Sequence, residues 1–142
     1  MTAIKDTRSL DAGFNNAVEL KRFVYDFTKD GGATGALDIC TFADAAVIVA
    51  AWATVKTTAT SGGSATVKWG ITGDDDRFCD TTQGAVANLT AAATIVPPAV
   101  EGTPNVIATP VKVAAGDKAL MTIGTAALTA GKIEFVLVVA KA

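Results

Sequence analysis

Asp74, Asp75 and Asp76, followed by Arg77 and Phe78, form the densest acidic cluster of the chain. Ca²⁺ takes several oxygen ligands, and acidic loops supply them. The Asp-x-Asp-x-Asp spacing with a distal Glu is missing here, so the expectation is a solvated turn rather than a metal site. Asp75 and Asp76 beside Arg77 could also make a salt bridge between subunits. Glycoside hydrolysis needs two carboxyl groups about 5–10 Å apart in a cleft, and Glu19, Glu101 and Glu134 are scattered. Histidine is absent, which removes Ser-His and Cys-His nucleophile pairs and any imidazole metal cage. General acid–base work would fall to carboxylates, lysines or Tyr25, the single tyrosine. Cys79 has a nearby cation in Arg77 but no base, and reads as a small hydrophobe. The glycine-rich fragments near Gly31 and Gly62 precede no helix and lack a Lys-Ser/Thr ending, so they read as turns. No catalytic residue, metal or cofactor is expected, and the chain reads as a non-enzyme.

What such residues need is a scaffold, and composition describes one. The chain has 142 residues, a net charge of −2 and half its residues hydrophobic, yet only 6% aromatic. One domain is the expectation at this length. The weak negative balance argues against a nucleic-acid partner, which would ask for clustered Lys and Arg. Alanine, threonine and valine number 28, 20 and 15. Val and Thr favour strands, and dense Ala suggests layers packed closely. No apolar run approaches the roughly 18–20 residues of a membrane-spanning helix, so no membrane partner is expected. The N-terminus lacks the apolar core of a signal peptide; the expectation is synthesis and use in a cytosol, with Cys40 and Cys79 as free thiols.

Along the chain, residues 1–19 mix polar residues with the apolar anchors Ile4, Leu10, Phe14 and Val18, and read as an extended arm. Period-two alternation begins at Leu20, with Phe23, Tyr25 and Phe27 on one face. Residues 37–42 and 45–57 follow as strands, the second apolar on both faces, which implies cover on both sides. Residues 58–64 read as a hairpin loop, and a symmetric hairpin would set Trp52 opposite Trp69 as buried core partners. Residues 73–105 are the least regular stretch. Residues 106–113 read as an edge strand because Pro110 lacks an N–H. Residues 119–124 follow as a strand, 128–131 as a turn, and Ile133, Phe135, Leu137 and Val139 share one face of the last strand. The whole is expected to be all-β: a single β-sandwich over residues 20–142, jelly-roll-like, with the N-terminal arm extended.

Three stretches carry a resemblance. One is the segment 45–71 with its sequel Trp69-Gly70-Ile71-Thr72-Gly73-Asp74-Asp75-Asp76-Arg77-Phe78. The second is Thr109-Pro110-Val111-Lys112-Val113-Ala114-Ala115-Gly116-Asp117. The third is Leu128-Thr129-Ala130-Gly131-Lys132-Ile133-Glu134-Phe135-Val136. Over residues 45–142 the chain resembles the capsid cement, or decoration, proteins of tailed bacteriophages. The resemblance implies no catalysis and no cofactor. It implies a virion protein on the capsid surface, assembled in the host cytoplasm and bound to the major capsid protein. Self-association as a homotrimer or another symmetric cluster follows from it, often with an extended terminal arm as the grip. The expected contact residues are Ile4, Leu10 and Phe14 on the arm and Asp75, Asp76, Arg77 and Phe78 on the acidic segment. A head-fibre or tail-associated virion protein is the nearest alternative. A carbohydrate-binding sandwich is another, and would require Trp52 or Trp69 to be exposed.

Overall fold

Strand-forming Val and Thr, alternating sides and glycine-marked turns make most of this chain extended. A computed structural model describes residues 18–96 and 110–142. Its strands are Val18–Asp26 (β1), Gly35–Thr41 (β2), Ala46–Ser61 (β3), Thr66–Ile71 (β4), Asp74–Cys79 (β5), Thr94–Ile95 (β6), Val111–Val113 (β7), Lys118–Gly124 (β8) and Leu128–Lys141 (β9). They form two antiparallel sheets. Sheet A runs β1-β9-β3-β6, with β7 also paired to β3, and sheet B runs β2-β8-β4-β5. First strand lies beside last and second beside next to last, which is the nested order of a jelly roll. The all-β sandwich expected from the sequence is the observed fold.

Between the sheets the core is thin where alanine lines it: Ala51, Ala53, Ala59, Ala65 and Ala119 are all buried. It thickens around Trp69, which lies on β4 between Phe78 of β5 and Phe135 of β9, with ring centroids 4.8 and 4.9 Å away. Tilted contacts of this kind join both sheets through one side chain.

Several expectations are corrected. The Trp52–Trp69 hairpin does not form. β3 pairs with β9 and sets Trp52 beside Val136, whereas β4 pairs with β8 and sets Trp69 beside Met121. The chain crosses between sheets at residues 62–65, so Trp69 is core and Trp52 is half-buried on the outer side of sheet A. Residues 128–131 are strand rather than turn, because β9 begins at Leu128 and extends the ladder to Thr60 and Ser61. The acidic segment is a strand too, pairing with β4 through Ile71–Asp74 and Trp69–Cys79. The arm, expected over residues 1–19, gives up Val18 and Glu19 to β1; its other residues, with Ile4, Leu10 and Phe14, lie outside the described ones. So do residues 106–109 of the expected edge strand, of which β7 is the described part.

The sandwich has two unlike edges. Residues 80–96 lace the side where β3 and β4 run. Val67 N–H donates to Gly84 O at 2.7 Å, Ala59 N–H to Leu89 O at 2.9 Å, and Val55 exchanges bonds with Ala92 and Ala93 at 2.8 and 2.9 Å. Gly84 is needed there, since a Cβ would overlap the Val67 carbonyl oxygen. At the opposite side the edges of β1 and β2 leave a groove.

Candidate docking surface

β5 presents the acidic segment at the outer edge of sheet B. Asp75 pairs with Lys68 of β4 at 2.9 Å and Asp74 with Arg77 at 3.1 Å. Asp76 is the odd carboxylate. Desolvation, a hydrogen bond with Asp74 and the charges of Asp74 and Asp75 raise its pKa above the usual aspartate value. Phe78 points the other way and is fully buried against Trp69, so its ring serves the core and offers no surface for contact. The four expected residues therefore separate: Asp75, Asp76 and Arg77 remain at or near the surface, and Phe78 braces them from beneath. No group of three or more His, Cys, Asp or Glu residues close enough to hold a metal occurs among the described residues.

Neither thiol is activated as a nucleophile. Burial, with the charge of Asp80, pushes Cys79 up to about 12. Burial also raises Cys40, partly offset by a hydrogen bond from the Ala119 backbone. Both are free. Cys40 and Phe42 line a cavity of about 660 Å³ at the mouth of the β1–β2 groove, with Leu137 and Val139 beneath. A second cavity of about 320 Å³ continues along the same edge past Phe23, Leu37 and Met121. Trp69, 1% exposed, presents no platform for a sugar ring.

The residue pattern of sheet A makes a different kind of site. On β1 the odd residues Phe23 and Tyr25 turn inward, leaving Val18, Leu20 and Val24 outside at 38, 49 and 50% exposure. The register places Val136 and Val138 of β9 and then Trp52 of β3 beside them on that outer side. Val49, at a β3 irregularity, and Val96, just beyond β6, are the other exposed large hydrophobics, so all of those among the described residues lie on or beside strands of sheet A. Val136 is completely buried, yet it is outside the inter-sheet core; its outward neighbours cover it. Charge at the centre closes on itself, Arg22 holding Glu134 at 2.7 Å. Lys56 and Lys112 stand at the rim, as polar residues do around an apolar contact surface.

The outer side of sheet B carries no such patch. Its long side chains are tied in the pairs Lys118–Asp38 (2.6 Å), Lys68–Asp75 and Arg77–Asp74. Part of the apolar sheet A face is legible in the sequence: the strand expected over 45–57 is apolar on both sides, which implies cover on both. The contribution of Leu20 and Val24 was missed, because only pairing with β9 shows that they extend the same surface.

No family model matches the chain, and no curated protein matches it significantly. Three solved structures contain chains of like fold. A chain of the cyanophage Pam1 capsid asymmetric unit has a TM-score of 0.56 and 14% identity, over 88% of this chain and 85% of that one. A chain of the acid-stable capsid of Helicobacter pylori bacteriophage KHP30 has 0.57 and 11%, over 87% of each. A chain of the Ralstonia phage GP4 capsid has 0.60 and 16%, over 100% of this chain and 91% of that one. At these identities the likeness is one of fold.

Proposed function

We propose that this protein is a structural component of a tailed-phage virion. In this reading it binds the outer surface of the capsid and stabilises the shell as a cement or decoration protein. One observation carries the proposal: the sandwich fold it shares with chains of three phage capsids bears, among the described residues, its exposed large hydrophobics on or beside the strands of sheet A. A face of that kind is suited to lasting contact with protein rather than to turnover. The major capsid protein is the partner outside the cluster, and a symmetric cluster, a homotrimer, is the assembled form. Nucleic acid and membrane are not partners in this reading, and assembly takes place in the host cytoplasm.

Ile4, Leu10 and Phe14 of the arm enter as anchors on the shell, with Asp75, Asp76 and Arg77 as a polar contact at the edge of sheet B. Ordering an arm costs about 1–2 kcal/mol per residue, so its contacts must be extensive or repeated by symmetry. Incubating purified shells with the protein and imaging them by electron microscopy tests the reading. Regular density on the shell exterior is expected. Protein that stays entirely in the unbound fraction defeats the proposal. Deleting residues 1–19 should weaken decoration, and unchanged occupancy would move the grip to the sandwich itself.

A further inference from the structure

We infer that a second copy of this chain covers the outer face of sheet A. The inference rests on the symmetric-cluster reading and names the surface that holds the cluster together.

Size comes first. β1, β9, β3 and the short strands beside β3 span roughly 19 Å at about 4.8 Å per strand, and β1 runs about 30 Å at ~3.3 Å per residue. That is roughly 570 Å² of sheet plane, and side-chain relief brings it toward the ~800 Å² that each partner contributes to a standard interface. Chemistry narrows the occupant. Trp52 lies beside Val136 of β9, and Leu20 of β1 lies beside Val138 on the same side, so the face combines an aromatic side chain with aliphatic ones, the composition that dominates contact energy. The central charges, Arg22 and Glu134, already satisfy each other, so the patch asks for no oppositely charged partner. Uniqueness then points to self-contact. Among the described residues no other surface presents an exposed large hydrophobic side chain. A copy that is to bury this face against apolar surface of its own kind must therefore bring the same face. The meeting is then isologous across a two-fold or convergent round a rotation axis.

The test uses Leu20→Glu and Val24→Glu in the full chain, both at exposed positions where a carboxylate does not disturb the core. Ala36→Glu, exposed on β2 of sheet B, carries the same charge change elsewhere. Mass is read by light scattering at micromolar concentration, folding by circular dichroism, and shell binding by electron microscopy. Wild type and Ala36→Glu are expected at the same multiple of the chain mass, and the two sheet A variants at the mass of one folded chain. Variants that keep the wild-type mass overturn the inference while leaving the virion reading standing. A wild type that is itself a single chain, with Leu20→Glu losing only shell binding, also overturns it and gives the face to the shell protein. Monomeric variants of a clustered wild type that never decorates shells support the inference and remove the virion reading.

Discussion

The two outer faces of the sandwich are built on the same pleat and end in opposite chemistry. Sheet B is finished in ion pairs, Lys118–Asp38 and Lys68–Asp75 lying across neighbouring strands and Arg77–Asp74 within β5. Sheet A is finished in Val18, Leu20, Val24 and Val49, each more than a third exposed. Solvent is the natural cover for the first. For the second, water is the poorer neighbour, at about 25 cal/mol for each Å² of apolar surface left wet. The difference teaches that net composition says little about a surface: both faces carry ion pairs, but the exposed large apolar side chains of the described residues gather on the strands of sheet A.

The largest effect separates interior from outer face. Trp69→Ala should lower the stability of the folded chain by about 3–5 kcal/mol, because Phe78 and Phe135 cannot close the space between two sheets. Trp52→Ala should cost the single chain less than half as much and weaken self-association more. Chemical denaturation alongside mass measurement reads both; equal losses of stability would erase the distinction between the two tryptophans. Next in size is the charged face. Lys68→Glu breaks the pair with Asp75 and places a carboxylate near Asp74, yet the pair is partly solvated, so the cost should stay within about 1 kcal/mol. Raising salt should shrink even that, while association through sheet A should hold or strengthen.

A smaller effect concerns Asp76. Its folded pKa is raised, so the folded state favours the protonated carboxyl. Its stabilising effect is greatest below the unfolded aspartate pKa and is lost as pH rises through the folded one. Asp76→Asn should therefore melt about 1–2 °C above wild type at neutral pH, and the gain should vanish in acid. A gain that grows on acidification would reverse the assignment. The smallest change is chemical rather than thermal. In mildly alkaline buffer a thiol reagent should modify Cys40 at the groove and spare Cys79, whose thiolate is suppressed by burial. Peptide mapping before and after unfolding would show one site and then two.

Alternation exposed the inner faces of β1 and β9 in the sequence, because Phe23, Tyr25, Ile133, Phe135 and Leu137 repeat every second residue whatever lies beside them. Pairing was less accessible. Ala46–Ser61 and Thr66–Ile71 are separated by a short glycine-rich loop, which fits a hairpin and equally fits a step from one sheet to the other. The choice is made by β9 and β8, distant in sequence, and a local pattern holds no record of them. Asp74–Asp76 was misjudged for the opposite reason. Three carboxylates look like loop, yet Phe78 and Cys79 are buried and the edge position leaves the acids in water. Of the expected contact residues, Asp75, Asp76 and Arg77 lie at or near the surface and Phe78 is buried in the core.

The nested strand order also governs the order of events when the molecule is made. Val18 pairs with Ala140, and Asp26 with Lys132, so β1 has no β9 ladder until residues 132–140 have left the ribosome. β2 waits in the same way for β8. Such distant pairings close large loops before any reward and make folding slow. Throughout that wait Leu20 and Val24 are open to every neighbouring nascent chain. A stop codon at residue 132 would strip β1 and β3 of most of their shared partner together, and the truncated product should be insoluble rather than merely less stable.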